Sequence, residues 1–135
     1  MYSRRRTSAL LAAGTIAASV LLSATPANAT ATGCTGNPGA TDGSGIVCLT
    51  VKGSKLHVDS VKLEKQSNNG DWKDYGIISI GSPVTFEVQG PTISVDRTVN
   101  ATLSDTVNES FPNNTKACGW WHKYPNVKAC ITIHS

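Results

Sequence analysis

Ala117-Cys118-Gly119-Trp120-Trp121-His122-Lys123-Tyr124-Pro125-Asn126-Val127-Lys128-Ala129-Cys130-Ile131-Thr132-Ile133-His134 is the stretch that decides how this chain folds. Two short runs flank a turn at Lys123, Tyr124 and Pro125. Closed as an antiparallel hairpin, they set Cys118 opposite Cys130, Trp120 opposite Lys128 and His122 opposite Asn126. Strand side chains alternate between two faces. One face then carries Cys118, Trp120, His122, Lys128, Cys130 and Thr132, pinned by a cross-strand disulfide. The other carries Trp121, Val127, Ala129, Ile131 and Ile133 and reads as core.

Upstream, the same two-residue period recurs. Val47, Leu49 and Val51 alternate with polar residues, and Gly53-Ser54 fits a two-residue hairpin turn. Leu56 and Val58 continue the alternation, but the next apolar pair is Val61 and Leu63. The slip at Asp59-Ser60 calls for a bulge or a strand break. Ser67 to Asp71 is a turn cluster, Trp72 to Ile80 resumes, and Val84, Phe86 and Val88 alternate. Ile93 and Val95 open another strand, a Thr-rich run spans Val99 to Val107, and Asn108 to Asn114 is a loop. Helical apolar spacing is absent after residue 29. The pattern predicts an all-β fold, a small Ig-like antiparallel β-sandwich of about seven or eight strands with two disulfides.

The first residues belong to a different kind of segment. Arg4-Arg5-Arg6, the small apolar run from Ala9 to Ala24, and Ala27-Asn28-Ala29 have the form of a secretory signal peptide over residues 1–29. Its cleavage leaves one small domain of about a hundred residues. It also removes three of the twelve basic residues, leaving nine against nine acidic ones. A neutral mature chain is a poor match for nucleic acid or for an anionic membrane, which need a basic excess. Residues 30–45 are Gly- and Thr-rich without apolar periodicity, and read as a flexible arm leading into a disulfide-closed loop. Residues 46–135 form the sandwich.

Four cysteines in a small exported domain imply two bridges. The local pairing Cys34–Cys48 and Cys118–Cys130 is expected, each bridge contributing about 3 kcal/mol by the loop-entropy model. Their spacing does not fit the paired ligands of a zinc site. No nucleophile, base and orienting group can be assembled from His57, His122 and His134 with the scattered carboxylates, and His57 reads as an exposed strand residue. The chain is therefore expected to be no enzyme and to need no cofactor or metal. The informative group is Trp120, His122 and Tyr124 on the bridged hairpin. Trp120 has two readings, as a shield for the disulfide stacked on the Lys128 stem or as a partner contact.

With the Gly/Thr arm around Cys34, the run Ile46-Val47-Cys48-Leu49-Thr50-Val51, and the close at Cys118-Gly119-Trp120 and Ala129 to His134, the chain resembles small secreted proteins of filamentous actinobacteria. Within them it is most similar to the adaptor subunit of umbrella toxin particles. The resemblance implies a non-enzymatic linker that joins a repeat-built toxin stalk to a lectin subunit, with its N-terminal arm entering a cleft on the lectin. The expected partners are other secreted proteins, and the expected contacts are the arm Thr30, Ala31, Thr32 and Gly33 together with Trp120, His122 and Tyr124. Two other readings stand beside it. One is a secreted protease inhibitor presenting Thr35 to Val47, against which its glycine content speaks. The other is a carbohydrate-binding module stacking sugars on Trp120 and Tyr124.

Overall fold

The computed structural model describes residues 29–67, 72–95 and 100–135. The expected signal peptide, except Ala29, and most of the Ser67–Asp71 turn lie outside the described residues. Ten strands are formed: β1 (Ala29–Gly36), β2 (Ile46–Ser54), β3 (His57–Gln66), β4 (Trp72–Asp74), β5 (Gly76–Ile80), β6 (Phe86–Gln89), β7 (Ile93–Val95), β8 (Asn100–Ser110), β9 (Thr115–Trp121) and β10 (Ala129–Ile133). They build one four-stranded sheet in the order β1-β2-β3-β8, a second in the order β10-β9-β5-β6, and a two-stranded β4-β7 ladder. Every pairing is antiparallel. The all-β antiparallel architecture and both disulfides are as the sequence predicts. The strand count exceeds seven or eight because β1 carries little apolar alternation and the Trp72–Ile80 run divides at Tyr75 into β4 and β5.

The core lies between the two four-stranded sheets. Val47, Leu49, Val61 and Leu63 face it from the first, and Ile78, Ile80, Ala117, Trp121 and Ile133 from the second. Leu63 is fully buried and marks the closest approach. A Cβ on Gly119 would meet Leu63 Cδ1 at 2.5 Å, and one on Gly76 would meet Leu63 Cδ2 at 3.1 Å. The leucine thus fills a notch that only glycine leaves open. Emptying such a site by Leu→Ala costs about 2–5 kcal/mol in well-packed cores.

Bulges carry the irregularities. The slip at Asp59-Ser60 is a register shift between Val58 and Ser60 against β8, which lets Val58 and Val61 both point inward. The β2–β3 turn lies two residues further along than expected. Ser54 pairs with His57, so Lys55 and Leu56 form the turn, with Lys55 at φ 53°. Gly53 sits instead at a register shift next to Lys52. Val84 lies before β6 in the β5–β6 loop and is exposed.

The N-terminal segment departs most from expectation. It is no flexible arm: β1 pairs with β2 residue for residue, from Ala29 opposite Gly53 to Gly36 opposite Ile46. Its side chains from Ala29 to Thr32 are exposed, so no apolar period betrays it. Backbone pairing holds it, aided by a Thr32–Thr50 hydroxyl contact of 3.0 Å and the Cys34–Cys48 bridge. It also packs on β10, where a Cβ on Gly33 would meet the Cys130 carbonyl oxygen at 2.9 Å. The loop after it is ordered too: Asn37 N–H donates to Gly45 O (3.1 Å), and Asp42 Oδ1 accepts from Ser44 N–H (2.9 Å).

Deleting Thr30–Gly33 therefore strips four register pairs from an edge strand. At roughly 1 kcal/mol net for each hydrogen bond, stability should fall by about 2–4 kcal/mol. Urea unfolding of residues 30–135 and of residues 34–135 measures this, and coincident midpoints would return the segment to the status of a loose tail.

Candidate functional site: an aromatic face and a buried lysine

The outer face of the β10-β9-β5-β6 sheet is assembled by strand parity. Because Gly119 and Trp121 point inward, Cys118 and Trp120 point outward. On β5, Gly76 and Ile78 are buried while Ile77 and Ser79 are half-buried. The β5–β9 register sets Ile77 directly opposite Trp120 and Ser79 opposite Cys118. Lys128 extends over the Trp120 ring, its Nζ 4.0 Å from the centroid. The cross-strand Trp120–Lys128 contact read from the sequence is thus present. Ladder pairing, however, ends at Gly119–Ala129. The segment from His122 to Lys128 is two successive turns, closed by Tyr124 N–H to Trp121 O (2.8 Å) and Val127 N–H to Tyr124 O (3.0 Å). His122 accordingly turns away from Asn126. Its N–H donates to Tyr75 O (3.0 Å) and its ring stacks on Tyr75 at 4.6 Å between centroids.

Trp120 and His122 therefore share a face with Tyr75 and Ile77, which sequence reading did not single out. The face has an apolar centre and a polar rim, with Gln89 and Glu87 on β6 and Lys128 beside β10. As a sugar platform it is poor, because Lys128 already covers Trp120 and His122 already covers Tyr75.

Tyr124 is not part of this face. It is half-buried at the end of the sandwich, where its hydroxyl donates to the Asp42 carbonyl (3.0 Å) and Lys65 Nζ lies 3.9 Å from its ring centroid. Lys65 is 1% exposed. It continues the inward alternation of Val61 and Leu63 on β3. Asp74, also buried, accepts from Tyr75 N–H (2.9 Å) and Lys123 N–H (3.0 Å) and so fixes the start of the β9–β10 loop. Burial pushes the Lys65 ammonium down to about 8, against the pull of Asp74 and Asp42 and with a further push from Lys123. Burial likewise raises the Tyr124 phenol, reinforced by Asp42 and Asp74. Thr30 to Gly33 belong to the other sheet, in β1.

A third cluster was also unforeseen. At the β3–β8 bulge, His57 Nδ1 lies 3.0 Å from Ser110 Oγ, and His57 Nε2 lies 3.2 Å from Asn108 Oδ1 and 3.5 Å from Asp59 Oδ1. The residue types are those of a serine hydrolase triad. The setting is different, since the His57 and Asp59 side chains are 37% and 54% exposed. Water at that exposure weakens the electrostatics on which such a triad depends. Cross-strand hydrogen bonding at the bulge accounts for the geometry. Among the described residues, no group of three or more His, Cys, Asp or Glu side chains is placed to hold a metal ion, and no helix is long and apolar enough to cross a membrane. No family model, curated protein or solved structure matches the chain.

The buried lysine gives a signed pH effect. Its folded-state pKa lies below the unfolded value, so the unfolded state holds the proton longer and stability rises with pH from about 8 toward 10.5. Between about pH 7.5 and about pH 9.5 the wild type should gain on the order of 2 kcal/mol relative to Lys65→Met. This range stays below the Tyr124 titration, which acts in the opposite sense. Parallel pH dependences of urea unfolding for the two proteins would refute the assignment.

The exposed triad yields a second expectation. Ser110→Ala should change stability by about 0.5 kcal/mol or less. It should also leave the hydrolysis of activated esters by the purified protein unaltered. Ser110-dependent turnover would make that serine a nucleophile.

Proposed function

We propose that this chain is a secreted, non-enzymatic protein–protein interaction subunit that acts through the outer face of the β10-β9-β5-β6 sheet. The observation that carries this reading is the register of Ile77 with Trp120, beside the Tyr75–His122 stack, on strands stapled by Cys118–Cys130. A rigid apolar centre with a polar rim loses little entropy on binding, which is where interfaces draw their affinity. Two disulfides suit an oxidising compartment outside the cell. The resemblance to umbrella-particle adaptors supplies the finer proposal: one partner is a lectin subunit and the other a repeat-rich toxin polypeptide. In that case β1, rather than a loose arm, is the second contact, offering the exposed side chains of Thr30 to Thr32 to a groove on the partner.

One observation favours a second reading. The loop at residues 37–45 is tied by the Cys34–Cys48 bridge, by Asn37 to Gly45 and by Tyr124 to Asp42, while Asn37, Pro38, Gly39 and Asp42 stay exposed. A pinned loop with an exposed tip is what a secreted protease inhibitor requires, and the glycines here are held by those contacts.

Ile77→Asp should abolish capture of the partner from culture supernatant while leaving the fold intact by near-ultraviolet circular dichroism. A Pro38→Ala, Gly39→Ala pair should leave capture unchanged. The reverse result, together with inhibition of a secreted protease that the loop variant loses, would replace the face by the loop.

A further inference from the structure

We propose that the occupant of the aromatic face is a second copy of this chain, in a two-fold dimer formed face to face by the β10-β9-β5-β6 sheets; this rests on that face being a contact surface. The sheet's strand order is what makes it self-complementary. With four strands, a two-fold axis lying in the interface between β9 and β5, parallel to the strands, sets each β5 against the partner's β9 and each β6 against the partner's β10. Ile77 and Trp120 are level with each other in the register. The axis therefore places Ile77 of one copy against the Lys128-capped Trp120 of the other, twice. Tyr75 falls in the same way against the other copy's His122, with which its own chain already stacks it.

The charges follow the same symmetry. The acidic and amide side chains of this face, Glu87 and Gln89, lie on β6. Its bases lie on the opposite side, Lys128 at the start of β10 and Lys116 on β9. Gln89 is level with Ile77 on β5, and Lys128 sits over Trp120 on the other side, so the axis brings Gln89 toward the other copy's Lys128. Glu87 falls against the other copy's Cys118–Cys130 bridge, within reach of both lysines. Like charges meet nowhere in this arrangement. A face that carried one sign throughout would repel its own copy. The area also bounds the affinity. Four strands about 4.8 Å apart and four residues of about 3.4 Å give a patch roughly 19 by 14 Å. At about 270 Å² a side that lies below the usual range of specific interfaces, so the dimer is a weak, reversible one, populated only from high-micromolar to near-millimolar concentrations.

Sedimentation equilibrium of the mature protein across that range tests the idea. The expected result is a monomer–dimer equilibrium. Ile77→Asp should weaken it at least tenfold. Glu87→Lys alone and Lys128→Glu alone should each be monomeric, because each sets like charges together across the axis. Mixing those two variants should restore a dimer, since both cross-axis pairs are then opposite in sign. A wild type that stays monomeric throughout overturns the proposal, as does a dimer indifferent to Ile77→Asp or a failure of the mixed variants to associate. The two layers separate cleanly. A monomer whose partner capture is still lost in Ile77→Asp removes the dimer and leaves the contact face. A monomer whose capture survives that substitution removes both.

Discussion

The fold depends on Leu63 entering the notch between Gly76 and Gly119. Two sheets can share one core only where their inner side chains interdigitate, and here the facing residues on one side have no side chain at all. The consequence runs along β9 by parity. Once Gly119 is pressed against Leu63, Trp121 must enter the core, and Cys118 and Trp120 must leave it. The outward disulfide, the Lys128-capped indole and the pairing of Trp120 with Ile77 are all set by that single packing contact. A side chain at residue 119 would push the sheets apart and unseat the fully buried Trp121 together with Leu63.

Much of this is written locally in the sequence. The terminal hairpin shows its register through Cys118 and Cys130, its inner face through Trp121, Ala129 and Ile133, and its outer cation–π contact through Trp120 and Lys128. The bulge after Val58 shows itself as a slipped period. What was not legible is of two kinds. β1 is an edge strand whose first side chains do not reach the core, so its only signature is backbone pairing, which no side-chain pattern reports. Tyr75 and Ile77 acquire their place from β9, and His57 acquires Ser110 from β8, so these neighbours exist only after non-local strands pair. Lys65 is an intermediate case. The alternation Val61, Leu63, Lys65 points it inward, but a charged residue at the end of an apolar period is easily read as the end of the strand.

Lys65 also shows how the loops at that end are ordered without apolar bulk. Burying an ammonium is unfavourable unless other groups offset the lost hydration. Here the Tyr124 ring lies beneath it, and Asp74 and Asp42 lower its cost from two directions. Each compensating group sits on a different segment: the β9–β10 loop, β4, and the β1–β2 loop. Asp74 and Tyr124 then tie those segments by backbone contacts at 3.0 Å. The charge thus links three elements, and a neutral residue of similar shape would relieve the desolvation while loosening the linkage.

Both disulfides join neighbouring strands of one sheet, whereas the conserved bridge of antibody domains spans two sheets. They also hold the first and last strands, which lie side by side. This gives the domain a mechanical character. Tension applied at the two chain ends enters at Cys34 and Cys130 and crosses at once through sulfur to Cys48 and Cys118. The loops between the bridged residues never bear load, however far the rest is drawn out. Between the bridges only the chain from Cys48 to Cys118 can pay out, so the extension of the domain is capped by covalent bonds.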